Sequence, residues 1–110
     1  MKVSFLVALS ILALLSACSN GLFPSGSRTL TVFAAASLAD AFSEIGHNFE
    51  LENPGLTVRF NFAGSQTLGT QLMQGAATDV FASANHGEMD KLVGSNLVQQ
   101  DAPRDFLTNQ

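Results

Sequence analysis

The hydrophobic pattern changes character along the chain. Behind Met1-Lys2, the stretch from Val3 to Leu15 carries no charge, which is the pattern of a basic n-region followed by an apolar h-region. At about 13 residues it is shorter than the roughly 20 that span a bilayer as a helix. No polar residues recur at helical spacing within it, so it does not read as the buried face of a folded helix. Ser19 to Thr29 (SNGLFPSGSRT) has the Gly, Ser and Pro content of a tether. The folded part is expected to begin near Leu30.

From Leu30 the pattern alternates between strand and helix. Thr31 to Ala36 is a short, nearly continuous apolar run, as expected of a central parallel strand covered on both faces. A helical period follows, with Leu38, Phe42, Ile45 and Phe49 on one face and Asp40, Ser43, Glu44, His47 and Asn48 on the other. Asn53-Pro54-Gly55 stops it. Leu56, Val58, Phe60 and Phe62 then alternate with Thr57, Arg59 and Asn61, the period of a strand with one wetter face at a sheet edge. Ala63-Gly64-Ser65 turns into a second helix carrying Leu68, Leu72 and Met73, and Gly75 ends it. Asp79 to Ala84 reads as a third strand and Glu88 to Val93 as a third helix. The sum is an α/β fold, βαβαβα, with a parallel sheet and right-handed crossovers.

Ligands of such sheets sit beyond the carboxyl ends of the strands, near the switch in strand order. Ser37 and Ser65 stand there, each predicted as the N-cap of the helix that follows its strand. Two helix N-termini at one sheet edge offer unpaired N–H groups and partial positive charge, a cradle for an anion without Lys or Arg. Each serine adds a hydroxyl donor. Helix capping is the ordinary use of serine at such places, and spacing alone favours that reading.

Composition narrows the field. The chain has 110 residues, 46% hydrophobic and 13% charged, with room for one small globular domain and no sign of disorder. A net charge of −4 gives a nucleic-acid partner no electrostatic footprint. Cys18 is the single cysteine, so no intramolecular disulfide forms. Leu15-Ser16-Ala17-Cys18 resembles the lipobox of bacterial lipoproteins, which implies lipidation of Cys18 as the first mature residue. The organisation expected is a lipoprotein signal peptide over 1–17, a lipidated cysteine and tether over 18–29, and the fold over 30–110.

Three segments carry a wider resemblance: LTVFAAASLADAF (30–42), FNFAGSQTLGTQLMQGA (60–76) and DVFASAN (79–85) resemble the periplasmic molybdate-binding proteins of ABC transporters. In that family the serine after the AAA run and the serine of the AGS run donate to the oxyanion. The resemblance therefore implies Ser37 and Ser65 as oxyanion ligands, with the Leu38 and Gln66 amides as neighbouring donors and no role for Ser83. It also implies a two-lobed protein, and the sequence stops at Asn109-Gln110, so the chain is expected to be an incomplete first lobe. The implied function is the extracytoplasmic binding component of a molybdate importer. Its partners would be molybdate or tungstate, a permease and ATPase, and a membrane through the lipid anchor. The second reading is a lipoprotein remnant that binds nothing and whose serines only cap helices.

Other chemistry fits poorly. Gly64 to Thr70 matches a phosphate-binding P-loop except for Thr70 where Lys is required. His47 lies among Glu44 and Glu50 on a polar face, with no second His or Cys to complete a metal site, and His86 is equally unsupported. Neither serine sits in G-x-S-x-G or beside a His and acid pair, which leaves a hydrolase using Ser37 as the weakest reading. No enzyme activity and no cofactor are expected.

Overall fold

The computed structural model describes residues 26–108. The expected signal peptide (1–17), the lipidation site Cys18 and residues 19–25 of the tether lie outside the described residues, as do Asn109 and Gln110. The order is strand β1 (Arg28–Ala35), a 3-10 turn (Ala36–Leu38), helix α1 (Ala39–Glu52), β2 (Leu56–Ala63), α2 (Ser65–Met73), β3 (Val80–Ala82) and α3 (His86–Gly94). The predicted βαβαβα alternation holds. β1 takes in Arg28 and Thr29, which the sequence reading assigns to the tether, because Arg28 donates its N–H to the Gly55 carbonyl at 2.9 Å and pairs with Leu56. β3 is shorter than predicted, three residues against six.

The three strands are parallel in the order β2-β1-β3. β1 is central, as its apolar run predicts, and Val32 to Ala35 are all buried. Its side chains alternate between two cores. Phe33 joins Leu68, Leu72 and Leu92 beneath α2 and α3. Val32 and Ala34 join Ala82, with Leu38, Phe42 and Phe60 packed against them beneath α1. The chain therefore leaves β1 for one face of the sheet and leaves β2 and β3 for the other.

α1 differs from its predicted face. Ile45 and Phe49, expected inside, are 59% and 41% exposed, while Gly46 is buried. The reason is the fit to β2. A Cβ on Gly46 would stand 2.6 Å from two atoms of the Phe60 ring, so the helix meets the sheet along the line of its glycine and the apolar residue beside it turns outward. Glu50, one turn on, accepts the Val58 N–H at 2.6 Å. The exposed Met73 at the end of α2 was likewise expected on the buried face.

The stops of α1 and α2 are those the sequence suggests. Gly55 and Gly75 have positive φ, +85° and +98°, a conformation that costs glycine nothing. At the end of α2, Ala76 donates to the Gln71 carbonyl and Gly75 to that of Leu72, the paired bonds of a Schellman motif. Asn96, φ +58°, closes α3 in the same way, with Leu97 bonded to the Leu92 carbonyl and Asn96 to that of Val93.

Candidate functional site

The carboxyl ends of the strands set the geometry. β1 and β2 are in a register that pairs Ala35 with Ala63, and a serine follows each of these alanines by two residues. Ser37 and Ser65 thus leave adjacent strands at the same level, on chains that depart to opposite faces of the sheet. In this strand order the crevice of an α/β fold opens between β1 and β3, on the Ser37 side.

Neither serine is an N-cap, which corrects the sequence reading. Ser37 lies inside the 3-10 turn, whose N-cap is Ala35, and α1 is preceded by Leu38; neither cap makes a side-chain bond. Ser65 is the first residue of α2, and the cap is Gly64, whose carbonyl accepts the Leu68 N–H at 3.0 Å. The extended Gly64 supplies the entry to the helix without a side chain. Both serine hydroxyls are thereby released from the capping that the second reading assigns them. α3 has a side-chain cap: Asn85 accepts the Glu88 N–H at 3.0 Å through its Oδ1. The pattern Asn85-x-x-Glu88 signals such a start, and the sequence reading passed over it.

The two hydroxyls differ in setting. Ser37 is exposed and lines an open cleft of about 740 Å³ together with Leu38, Phe42 and the edge strand β3 through Asn85. The far wall is the segment Ala102–Leu107, where Phe106 meets the Phe42 ring edge-on at 5.9 Å. Ser65 is buried, 6% exposed, and does not line this cleft. Its Oγ accepts the Ala84 N–H at 3.0 Å, and Ala84 belongs to the cleft wall. Since β1 lies between β2 and β3, this bond spans the end of the central strand. An accepting hydroxyl keeps its own hydrogen to give.

Ser83 is occupied locally: its Oγ donates to the Asn85 carbonyl at 2.7 Å and accepts the Asn85 N–H at 3.3 Å. The loop it stiffens is the one that presents Ala84. Gln66, named as a neighbouring donor, stands in the first turn of α2, where helix N–H groups lack intrahelical partners; Leu38, the other, closes the 3-10 turn ahead of α1. His47 is exposed on α1. His86 opens α3, with its Nδ1 3.7 Å from the carboxylate of Asp105 at the surface.

Comparison with known proteins agrees with this architecture. The molybdate-binding protein ModA of Mycobacterium tuberculosis is 51% identical over 84 residues, 76% of this chain and 32% of its own. ModA of Escherichia coli is 39% identical over 80 residues, 73% of this chain and 31% of its own. YvgL of Bacillus subtilis, whose name assigns it as an ABC transporter substrate-binding lipoprotein, is 33% identical over 96% of this chain and 42% of its own. Among solved structures, the substrate-binding domain assigned to a molybdenum ABC transporter of Clostridium difficile superposes with a TM-score of 0.64 at 32% identity. That match covers 68% of this chain and 33% of the other. The chain thus spans about a third of the length of the ModA relatives it matches. Residues 30–110, nearly all of the described fold, match the family described as bacterial extracellular solute-binding protein, and the chain belongs to that family.

Proposed function

We propose that the protein is the solute-binding component of a molybdate ABC importer and that Ser37 and Ser65 are ligands of a tetrahedral oxyanion. The observation that carries this reading is the register of β1 on β2, which brings the two serines to one level beyond adjacent strand ends, Ser37 in the cleft wall and Ser65 buried behind it and bonded to Ala84 of that wall. The identity to ModA proteins points to molybdate as the solute. Donors alone suit a fully deprotonated dianion, since an anion still carrying a proton would call for an acceptor; molybdate and tungstate meet that condition. Hydrogen bonds to a charged acceptor contribute about 1.5–3 kcal/mol each, so a few donors give useful affinity after the cost of association. The role is capture, with no bond made or broken in the solute.

Residues 1–17 are in this reading a signal peptide, and Cys18 carries lipid ahead of a tether that ends where β1 begins at Arg28. The lipobox-like run Leu15-Ser16-Ala17-Cys18 supports the anchor, as does YvgL, a lipoprotein by name, whose similarity extends over 96% of this chain. Acyl chains add about 0.8 kcal/mol per buried methylene, which holds the domain at a membrane face beside a permease and ATPase.

Calorimetric titration of the protein with sodium molybdate tests the site, with saturable binding of molybdate and tungstate expected and perchlorate, a singly charged anion of the same shape, as the control. No binding of either dianion, or equal binding of perchlorate, overturns it. For the anchor, Cys18→Ala is expected to move the protein from the membrane to the soluble fraction. Equal partition of both forms, with no added mass on the wild type, rules the lipid out.

A further inference from the structure

α2 and α3 run side by side on one face of the sheet, and their contact is a ladder with a helical step. Ser65 meets Ala84 through the Oγ to N–H bond. Four residues on in each segment, the Glu88 carboxylate sits against Gly69, where a Cβ would stand 3.1 Å from Oε2. One further turn along, Leu72 and Leu92 join the same apolar cluster. Gly69 is buried, and Glu88 is 8% exposed, a charged side chain taken from water. Its other oxygen accepts from Lys91 Nζ at 2.7 Å, and its own N–H is held by Asn85, next to Ala84. Burying a carboxylate costs free energy, against which one lysine and the positive end of a helix act. An apolar side chain would fill the same space without that cost.

We propose that Glu88 is a positioning residue: its carboxylate on the bare Cα of Gly69 is the spacer that sets α2 against α3 and so holds Ser65 at Ala84. Resting on the oxyanion reading, the spacer also sets the size of anion that fits between Ser37 and Ser65. The lever is one helical turn long. A side chain at 69 forces Oε2 to give by a few tenths of an ångström, and with that carboxylate held by Lys91 the helices, on this proposal, take up the shift at the rung next to the Ser65–Ala84 bond. A binding constellation keeps its selectivity only when held within about 0.5 Å of its geometry, so shifts of this size matter.

The test uses the isotope-labelled full chain and reads two things: hydrogen exchange at the Ala84 amide, which needs no anion, and the ratio of molybdate to sulfate affinity. Gly69→Ala is expected to speed Ala84 exchange about tenfold, the loss of about one hydrogen bond, and to change the affinity ratio about fivefold or more. Glu88→Gln, which keeps the shape, leaves both within about twofold, as conservative replacement of a spacer should. If Gly69→Ala does not fold, Glu88→Ala opens the same contact and is expected to speed Ala84 exchange. Unchanged exchange in the folded variants overturns the spacer, whatever the titrations show. A wild-type chain that binds neither anion while Ala84 responds overturns the oxyanion reading, and the claim on anion size with it. An altered melting temperature with an unchanged affinity ratio shows a structural contact and also overturns that claim.

Discussion

The hydroxyl oxygen of Ser65 accepts the Ala84 amide hydrogen at 3.0 Å, joining the chain after one edge strand to the chain after the other across the end of the central strand. Removing the oxygen leaves the Ala84 N–H without that partner. Ser65→Ala is therefore expected to destabilise the fold by about 1–3 kcal/mol, measured by denaturant unfolding, and to weaken molybdate binding as well. An unchanged midpoint would show that water replaces the hydroxyl.

Ser37→Ala should behave differently. The side chain is exposed in the cleft wall, and truncating an exposed serine outside a cap changes stability by less than about 0.5 kcal/mol. Its loss is expected to weaken molybdate binding by about 1.5–3 kcal/mol, one donor to a charge. Calorimetry on the pair of variants separates the two effects: Ser65→Ala moves both quantities and Ser37→Ala only the affinity.

Gly46 is the buried residue of α1, set against the sheet. A methyl group there meets the edge of the Phe60 ring at 2.6 Å, a distance no side-chain carbon tolerates, and Phe60 is itself stacked on Phe62 with ring centres 4.9 Å apart. Gly46→Ala is expected to cost about 1–3 kcal/mol through overpacking, although alanine is the better helix former. A second change, Phe60→Leu, is expected to recover part of that loss.

Two apolar residues that look alike in the sequence are expected to part company. Leu68 is wholly buried and Ile45 is 59% exposed. Leu68→Ala should cost about 2–5 kcal/mol, whereas Ile45→Ala should stay within about 0.5 kcal/mol. Thermal melts of the two variants decide this.

The fold was largely legible because its strands differ in pattern. The unbroken run at Thr31 to Ala36 reads as a strand covered on both sides, and the alternation from Leu56 to Phe62 as a strand at an edge; the sheet order β2-β1-β3 agrees with both. The buried face of α1 was read correctly at Leu38 and Phe42 and misjudged at Ile45 and Phe49, because hydrophobic periodicity counts side chains, and this helix packs partly through a residue that has none. Gly46 was the available signal, a helix-weakening residue in mid-helix that had to have a packing reason. The positions of Ser37 and Ser65 could be read from motif and spacing, but their roles at the helix starts could not. A glycine caps only slightly less well than a serine, and which of Gly64 and Ser65 enters the helix first depends on backbone angles that no side chain announces. The partner of Ser65 was beyond reach, since Ala84 contributes a backbone group that every residue has.

The pairing of Ala35 with Ala63 also bears on where the chain can change length. A residue inserted within Arg28–Ala35 or Leu56–Ala63 advances one serine by a full strand step, about 3.3 Å, and turns the rest of that strand inside out. The same insertion at Asn53–Gly55, or between Gln74 and Asp79, is absorbed by a turn and leaves both serines where they were. Homologous genes should therefore vary in length at those two connections and hold the two strand-to-serine intervals constant.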